Sequence, residues 1–375
     1  MPAWKDDPAV MACDHGAPGH RAPERRVPEH RAPHRRPDRG VRSAAGILRW
    51  SRDLLDPALR DAVEAMPDGA RRIAAFHLGW RDELGRPADG AAGKAIRPAL
   101  AMLAAEAAGG TAAAALPAAV AVELAHNFSL LHDDVMDGDP TRRHRPTAWT
   151  VFGTDAAILA GDALLAAAYE VLAEDGSPAA AQAVRVLARA VLDLVEGQSA
   201  DLAFESRTDV TLDECLAMAG RKTGALMGAA CALGALYGGA TAAETGRLRA
   251  FGERFGLAFQ LADDLLGIWG DPAVTGKPVH SDLHNRKKSL PVVAALTSGT
   301  PAGAELAGLY LRDEPLTTAD AARAAVLIES AGARTWATAH AAALLTEAGT
   351  RLTGAAPEAA AELRALAGLV TRHDL

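Results

Sequence analysis

The first residues with clear chemical potential are in His132-Asp133-Asp134-Val135-Met136-Asp137, which ends a long apolar helical run. Carboxylates are costly to place in apolar surroundings, so an acidic cluster here indicates a function. Asp133 and Asp137 are four residues apart and therefore share one face of a helix. Ligands made only of oxygen suit a hard cation, and with phosphate as a further ligand the expected ion is Mg²⁺ with several bound waters.

Two arginines follow this acidic segment closely. Arg142 and Arg143 lie five and six residues beyond Asp137. Taken alone, they could form ordinary surface ion pairs, which contribute about 0–1 kcal/mol. A metal-bound diphosphate would use both kinds of group, because carboxylates hold the ions while arginines bind the remaining phosphate oxygens.

A second acidic pair, Asp263-Asp264, lies in the apolar helical segment 259–267. Two such pairs in apolar surroundings suggest facing helices that share metal ions in the core of a bundle. Lysines at 222, 277 and 287 lie between the pairs or downstream of them, although each alone is compatible with a solvated surface charge.

Further cations precede the first acidic pair. In Gly93-Lys94-Ala95-Ile96-Arg97-Pro98 the proline fits the first turn of a helix, where its missing N–H needs no partner. Lys94 and Arg97 can face the same way at that helix start, which also favours an anion through its free N–H groups. His126, two helical turns before Asp133, lies on a face that leads toward the acidic cluster and could donate to a phosphate oxygen.

The elements that must position these residues are helices. Of 375 residues, 49% are apolar but only 4% are aromatic, and alanine supplies much of the apolar share. Alanine favours helix, whereas strands prefer β-branched and aromatic side chains. From Ile47 onward several segments are apolar nearly all round, which places them inside a helical bundle. We predict an all-α fold, with a single large helical domain over residues 46–375.

Composition also excludes several functions. A net charge of −8 argues against nucleic-acid binding, which needs a basic surface. Three cysteines without a CxxC spacing suggest reduced thiols. No continuous apolar run reaches the ~20 residues of a membrane span, and no secretory signal is evident. We expect a cytoplasmic protein.

Residues 1–45 differ from the rest of the chain. The segment has seven prolines, is rich in Arg and His, and cannot bury enough apolar surface to offset its ordering entropy, so we predict disorder. It contains a crude repeat, in which His20-Arg21-Ala22-Pro23 recurs as His30-Arg31-Ala32-Pro33. The segment is interpreted either as a solvated tail or as a docking peptide for another protein.

Taken together, these motifs resemble the trans-isoprenyl diphosphate synthase (polyprenyl synthetase) family. The resemblance covers residues 93–291 and follows the family's motif order: GKxxRP, ExxHxxSLLHDDxxDxxxxRR, Gly161-Asp162, Glu196–Gln198, Lys222-Thr223, QxxDD, Thr275–Lys277 and KxSLP. It implies a homodimeric helical bundle around a central catalytic cavity. It also implies an enzyme that joins isopentenyl diphosphate to an allylic diphosphate with Mg²⁺, three ions per active site.

The resemblance also assigns roles to individual residues. Five aspartates would bind or flank the metal ions: Asp133, Asp134, Asp137, Asp263 and Asp264. Four cations would hold the allylic diphosphate: Arg142, Lys222, Lys277 and Lys287. Another four residues would hold isopentenyl diphosphate: Lys94, Arg97, His126 and Arg143. Thr223 and Gln260 would line the place where the allylic cation forms.

The sequence departs from the family pattern at three positions. Ala95 stands where an Arg is usual, His144 where a Gly is usual, and Gly267 replaces the last Asp of the second acidic motif. The last change removes a carboxylate. Asp271, one further turn on, would compensate if the helix continues to it.

Residues just before the first acidic motif form the floor of the product channel in this family. Phe128 and Ser129 lie five and four residues before Asp133. A single aromatic at this place resembles synthases that stop at twenty carbons, so the predicted product is geranylgeranyl diphosphate, with farnesyl diphosphate as the alternative. Phe128 could equally be an ordinary core residue.

Two other functions remain open at this point. A class I terpene cyclase also ionises allylic diphosphates, but it needs no second diphosphate pocket, and a low aromatic content disfavours a cation-guiding cavity. A non-catalytic subunit of a heteromeric synthase is supported by Gly267. The N-terminal segment also resembles that of prenyl transferases carried as cargo inside bacterial encapsulin shells, which would make it a loading peptide.

Overall fold

Helices form nearly all of the secondary structure in the part of the chain that the structure describes. The computed structural model describes residues 40–88, 90, 93–272, 279–312 and 314–371. Within these ranges the α-helices are α1 Ala44–Glu64, α2 Asp68–His77, α3 Ile96–Ala107, α4 Leu116–Met136, α5 Ala148–Phe152, α6 Thr154–Glu174, α7 Ala180–Glu205, α8 Leu212–Ala219, α9 Ala225–Tyr237, α10 Ala242–Trp269, α11 Ser281–His284, α12 Leu290–Leu296, α13 Pro301–Tyr310, α14 Thr318–Ser330, α15 Ala333–Thr350 and α16 Pro357–Thr371. A 3₁₀ turn (Ala113–Ala115), a π-helical turn (Gly220–Gly224) and a short antiparallel hairpin (β1 Thr141–Arg142, β2 Arg145–Pro146) complete the elements. The predicted all-α fold is confirmed.

The alanine-rich helices lie in the middle of the bundle. α3 and α9 are buried over almost their whole length, and they pack against each other and against α4. Their backbones approach closely, since a Cβ atom added at Gly234 would lie 1.9 Å from the carbonyl oxygen of Ala101. Small side chains are required at such a contact, which explains why a large core here needs so few aromatics.

A second, smaller apolar cluster supports the end of α10. It includes Ile268, Leu283 and Tyr310, and it is built mainly from α11 to α14. The hydroxyl group of Tyr310 donates to the carbonyl oxygen of Lys287 at 2.9 Å. This cluster therefore holds the segment that links α11 to α12, which carries Lys287.

The folded domain begins slightly earlier than the sequence indicates. α1 starts at Ala44, and the side chain of Ser43 accepts a hydrogen bond from the amide of Gly46 at its N-terminus. The guanidinium group of Arg42 pairs with Glu362 at 2.5 Å and with Glu106 at 2.9 Å. Residues 40–45 thus belong to the domain rather than to the tail, because these contacts offset their ordering entropy. Residues 1–39 of the predicted tail lie outside the described residues.

Two helical segments correct the expectation that none is apolar enough for a membrane span. By length and composition alone, Ala113–Met136 and Thr154–Glu174 qualify, because a span tolerates one or two charges. The first is 72% buried inside the bundle and is therefore a core helix, whereas the second is 39% buried and leaves one apolar face uncovered.

Candidate active site

The first acidic pair lies at the C-terminal end of α4. Asp137 follows the last helical residue, and its amide donates to the carbonyl oxygen of Asp133 at 2.8 Å, so both belong to the same turn. Asp133 is partly buried and Asp137 is exposed. Burial raises the pKa of Asp133, and nearby Asp137 and Asp201 raise it as well, whereas Lys222 and Arg142 lower it.

Asp134 points away from its neighbour and into the protein. Its carboxylate is 1% exposed, and Oδ1 accepts hydrogen bonds from Nε and Nη2 of Arg142, each at 2.7 Å. Burial raises the pKa of Asp134 to about 6, against the lowering effect of Arg142. Oδ2 is buried and has no hydrogen-bond partner among the described residues. Arg142, predicted to hold a diphosphate, is thus fixed by a carboxylate of the first acidic motif.

The hairpin that carries Arg142 turns sharply. Arg143 (φ 51°) and His144 (φ 61°) both adopt the left-handed conformation, which L-residues reach only at a cost. A turn with two such residues matches the right-handed twist of a hairpin. His144 is therefore at a position where glycine would be easier, as the family pattern has it.

The hairpin turn brings Arg143 against the segment before α3. A Cβ atom added at Gly93 would lie 2.4 Å from Nη2 of Arg143, so the guanidinium group rests directly on the glycine backbone. A side chain at position 93 would therefore displace this guanidinium group. The contact also joins two of the cationic motifs that are far apart in the sequence.

Three of the four residues predicted to bind isopentenyl diphosphate form one cationic pocket, namely Arg97, His126 and Arg143. Burial lowers the pKa of His126 well below its usual value, and the charges of Arg97 and Arg143 lower it further. Burial, partly opposed by nearby Glu123, lowers the pKa of Arg97 to about 10. Nε of Arg97 is buried without a hydrogen-bond partner among the described residues. Lys94, the fourth, is exposed just before α3.

Sequence reasoning missed three members of this pocket. Glu123, on α4, is a nearby acid for both Arg97 and Arg143. Asn127 donates to the backbone of Glu123 at 2.8 Å and is hydrogen-bonded to His77 at the end of α2. Glu123 belongs to the quoted ExxH motif and was visible there, whereas His77 precedes every motif and gave no signal.

Asp201 is another residue that the sequence did not single out. Lys222, predicted to hold the allylic diphosphate, pairs with the carboxylate of Asp201 at 2.6 Å. Lys222 lies in the π-helical turn, a feature often found at functional sites. A Cβ atom added at Gly197 would lie 2.4 Å from the amide nitrogen of Lys222, so the glycine of the EGQ motif lets α7 pack directly on this turn.

A chain of hydrogen bonds crosses from the π turn to the second acidic pair. The hydroxyl group of Thr223 donates to Gln260 at 2.6 Å, and Gln260 donates to Oδ1 of Asp264 at 2.8 Å. Oδ2 of Asp264 accepts from the amide of Leu290 at 2.9 Å. Both carboxylate oxygens of Asp264 are therefore occupied, and burial raises its pKa to about 7.

Asp263 and Lys287 complete the region around the second pair. Asp263 is exposed, in contrast to its buried neighbour Asp264. Burial alone would lower the pKa of Lys287, but carboxylates at 282, 264, 201 and 263 surround its ammonium group and raise that pKa strongly. Asp201 lies near Lys287 as well as near Asp133, so the two acidic motifs border the same region.

The rest of the Arg286-Lys287-Lys288 run faces elsewhere. Nζ of Lys288 is buried and donates to the carbonyl oxygens of Phe204 and Glu205, which ties this segment to α7. Lys277, predicted to hold the allylic diphosphate, lies outside the described residues.

The condition under which Asp271 would compensate for Gly267 is not met. α10 ends at Trp269, and Gly270 is extended (φ −69°, ψ 149°). The chain therefore leaves the helix before it reaches Asp271, and the periodicity that would align Asp271 with Asp263 is lost.

Phe128 and Ser129 lie one helical turn before the first acidic pair. Phe128 is 8% exposed, and its ring packs edge-on against His132 at 4.8 Å between centroids. The hydroxyl group of Ser129 donates to the carbonyl oxygen of His126 at 2.8 Å, so it is already satisfied.

The acidic residues fit a site for Mg²⁺. Their donors are all carboxylate oxygens. Burial raises the pKa of Asp133, nearby Asp137 and Asp201 raise it further, and a divalent ion would stabilise the ionised carboxylate. Among the described residues no three carboxylate or imidazole groups lie close enough to form a complete metal site. This arrangement suits an ion that keeps several waters and takes phosphate oxygens as further ligands.

Known proteins share both the sequence and the fold. A profile described as polyprenyl synthetase matches residues 82–327. A (2E,6E)-farnesyl diphosphate synthase from Mycobacterium tuberculosis is 50% identical over 304 residues, which is 80% of this chain and 85% of that protein. A geranylgeranyl diphosphate synthase from the same species is 50% identical over 277 residues, 74% of this chain and 79% of that protein. The crystal structure of a polyprenyl synthetase from Streptomyces coelicolor superimposes with a TM-score of 0.84 at 46% identity, covering 87% of this chain and 99% of that one.

Proposed function

Because the chain belongs to the polyprenyl synthetase family and is a prenyl diphosphate synthase, we propose that it condenses isopentenyl diphosphate with an allylic diphosphate to give geranylgeranyl diphosphate. Farnesyl diphosphate is the alternative product. The observation that carries the proposal is the shared neighbourhood of Asp133 and Lys287 around Asp201, which supports one diphosphate site built from both acidic motifs.

In this proposal the allylic diphosphate lies between the two acidic motifs. The carboxylates of Asp133, Asp137 and Asp263 would hold three Mg²⁺ ions, and the buried Asp134 and Asp264 would support them. Lys222, Arg142 and Lys287, with Lys277, bind the diphosphate oxygens. When bound, the metal ions neutralise the charge that develops on the departing diphosphate. Lys222 aids this step because its ion pair with Asp201 already fixes its position.

Isopentenyl diphosphate binds in the neighbouring pocket. Arg97, Arg143 and His126 lie together, and the nearby carboxylates of Glu123 and Asp134 leave the pocket cationic, so it suits an anion such as a diphosphate. Lys94, exposed just before α3, is proposed as a further cation for this diphosphate. The buried Nε of Arg97, which lacks a partner among the described residues, is a donor that a phosphate oxygen would satisfy.

The carbon chemistry takes place between these two pockets. Ionisation of the allylic C–O bond leaves a cation, and the double bond of isopentenyl diphosphate attacks it. A proton is then lost to the released diphosphate. The Thr223 and Gln260 oxygens stabilise the cation, and their hydrogen bond fixes both side chains. The apolar walls of the bundle keep water away from it.

A direct assay tests the proposal. The purified chain is incubated with Mg²⁺, isopentenyl diphosphate and each allylic starter, and the products are sized after removal of the diphosphate. We expect mainly twenty-carbon chains. A fifteen-carbon product would favour the farnesyl alternative. A cyclic hydrocarbon would indicate a terpene cyclase, and a completely inactive chain would indicate a non-catalytic subunit.

We further propose a homodimer formed through α6 and α7. Large apolar side chains are exposed on these helices, among them Leu159 at 66%, Leu192 at 62% and Val195 at 46%. Exposed apolar patches of this kind mark interaction surfaces. Light scattering of wild type and Leu159→Asp would test this, with a shift to monomer expected for the variant.

The proposed location is the cytoplasm, with residues 1–39 as the docking segment for a protein shell. Removal of these residues should leave turnover intact while it abolishes co-purification with a shell protein. Loss of turnover would instead indicate a role of this segment in catalysis.

A further inference from the structure

Arg145 lies in β2, directly across the hairpin from Arg142. Its Nη1 donates to the carbonyl oxygen of Phe76 at 3.0 Å, and its Nη2 donates to the carbonyl oxygen of Arg81 at 3.3 Å. The guanidinium group also lies over the ring of Phe76, 4.9 Å from its centroid. Phe76 belongs to the last turn of α2, where carbonyl oxygens have no partner within the helix. One side chain of the hairpin is thus fixed to the end of α2 and to the loop that follows it.

The backbone after α2 comes close to this guanidinium group. The amide of Gly90 donates to the carbonyl oxygen of Gly79 at 2.9 Å. A Cβ atom added at either glycine would lie 3.1 Å from Nη1 of Arg145. At Gly90 the added atom would also lie 2.8 Å from Cα of Gly79, which is backbone and cannot turn aside as a side chain could. Two glycines therefore allow the close contact between this loop and Arg145.

The two arginines assigned to diphosphates depend on this contact to different degrees. Arg142 has an anchor of its own, because both its Nε and its Nη2 donate to Asp134 at 2.7 Å. Arg143 lies in the hairpin turn and rests on the backbone of Gly93. Its φ of 51° is costly for an L-residue, and such a conformation persists only where surrounding contacts impose it. Loss of the contacts of Arg145 should therefore displace Arg143 more than Arg142.

We propose that Arg145 is a positioning residue of the isopentenyl diphosphate pocket. It holds the hairpin against α2 and so keeps Arg143 where the diphosphate binds. The guanidinium group of Arg145 donates to protein carbonyl oxygens, so it acts through Arg143 rather than on the substrate. This inference rests on the proposed function and deepens it.

Kinetics of the full-length enzyme test the proposal, with KM measured for each of the two substrates. The variants are Arg145→Ala, Arg145→Lys and Gly90→Ala, which keeps the arginine but displaces the loop beside it. Arg86→Ala serves as the control, because it removes a cation of the same loop that pairs only at the surface with Asp82. Thermal unfolding measures stability, and calorimetry measures the binding of isopentenyl diphosphate without turnover.

We expect Arg145→Ala to raise KM for isopentenyl diphosphate by about 10-fold, because one charge-assisted contact is weakened. KM for the allylic substrate should change by less than about 3-fold, since Arg142 keeps its pair with Asp134. Arg145→Lys should remain impaired, because a single ammonium group lacks the planar fork that reaches two carbonyl oxygens. Gly90→Ala should raise the same constant, and Arg86→Ala should behave as wild type.

Several results would overturn the inference. One is a wild-type KM for isopentenyl diphosphate in Arg145→Ala, and another is an equal rise in KM for both substrates. Full rescue by Arg145→Lys would show that only the charge matters. A purely structural role would lower the unfolding temperature and leave both constants unchanged. If the alanine variant does not fold, Arg145→Lys and Gly90→Ala still decide the matter. Failure of the proposed function is distinct, because the wild-type chain would then yield no prenyl product.

Discussion

Substitution of Gly197 by Ala should displace the π-helical turn that carries Lys222 and Thr223. The new methyl group would lie 2.4 Å from the amide nitrogen of Lys222 and 2.9 Å from its Cα. Favourable contacts between such atoms need about 3.5–4.0 Å. Both partners are helical backbone, so no side chain can move aside, and α7 and the turn must separate by about 1 Å.

Two opposing effects set the magnitude of this change. Alanine in place of glycine inside a helix ordinarily gains about 1 kcal/mol. Overpacking in a filled core costs about 1–3 kcal/mol. At Gly197 we expect the overpacking cost to exceed the gain in helix propensity, so the free energy of unfolding should decrease. A misplacement of about 1 Å at a catalytic group costs about 100-fold in rate, so turnover should fall far more than stability does.

Gly220 provides the matched control, because it lies in the same π turn and no atom lies within 4 Å of an added Cβ. Gly220→Ala should be as active as wild type and equally or more stable. Steady-state kinetics and thermal unfolding of both variants provide the comparison. A Gly197→Ala enzyme with wild-type turnover would refute the reasoning that this glycine positions Lys222.

Other predictions address separate parts of the molecule. Phe128→Ala should lengthen the product as sized by chromatography, and an unchanged product would show that this ring is only core. Lys222→Ala should lower kcat by about 100-fold to 1,000-fold, whereas Arg221→Ala, which removes only a surface pair with a glutamate, should not. Burial and three nearby arginines lower the pKa of His77 to about 3, so the native state loses stability as the pH falls from about 6.5 toward 3, where the unfolded chain binds the proton. His77→Asn should flatten this loss in denaturant titrations, and an unchanged pH slope would contradict the assignment. Glu362→Ala should cost about 3 kcal/mol of unfolding free energy, because it leaves its half-buried arginine partner without its main carboxylate.

The sequence predicts the helical class and most of the site for identifiable physical reasons. Placing carboxylates in an apolar helix costs free energy. Asp133 and Asp263 could therefore be identified as candidate site residues from the sequence alone. Helical periodicity also predicted that Asp137 shares a turn with Asp133. These are local relations, determined by residues within one helix.

Relations between helices were harder to predict. Asp201, His77 and Asp282 belong to the site only because α7, α2 and α11 pack where they do. Periodicity shows which residues share a helix face, but it does not show which face of one helix packs against which face of another. The pattern alone also left open whether α10 continues to Asp271, and the structure shows that it ends at Trp269.

The two aspartate pairs show the same difference in burial between their first and second residues. In each pair the first residue is the less buried one, partly buried at Asp133 and exposed at Asp263. The second, Asp134 or Asp264, is buried and bound to neighbouring groups. Replacing any of the four should abolish turnover, so a screen that scores activity alone would rank them as equals. Melting temperatures would separate them, because the outer acids can be lost from a chain that still folds, whereas loss of an inner acid removes an anchor to a neighbouring segment, the hairpin for Asp134 and the start of α12 for Asp264.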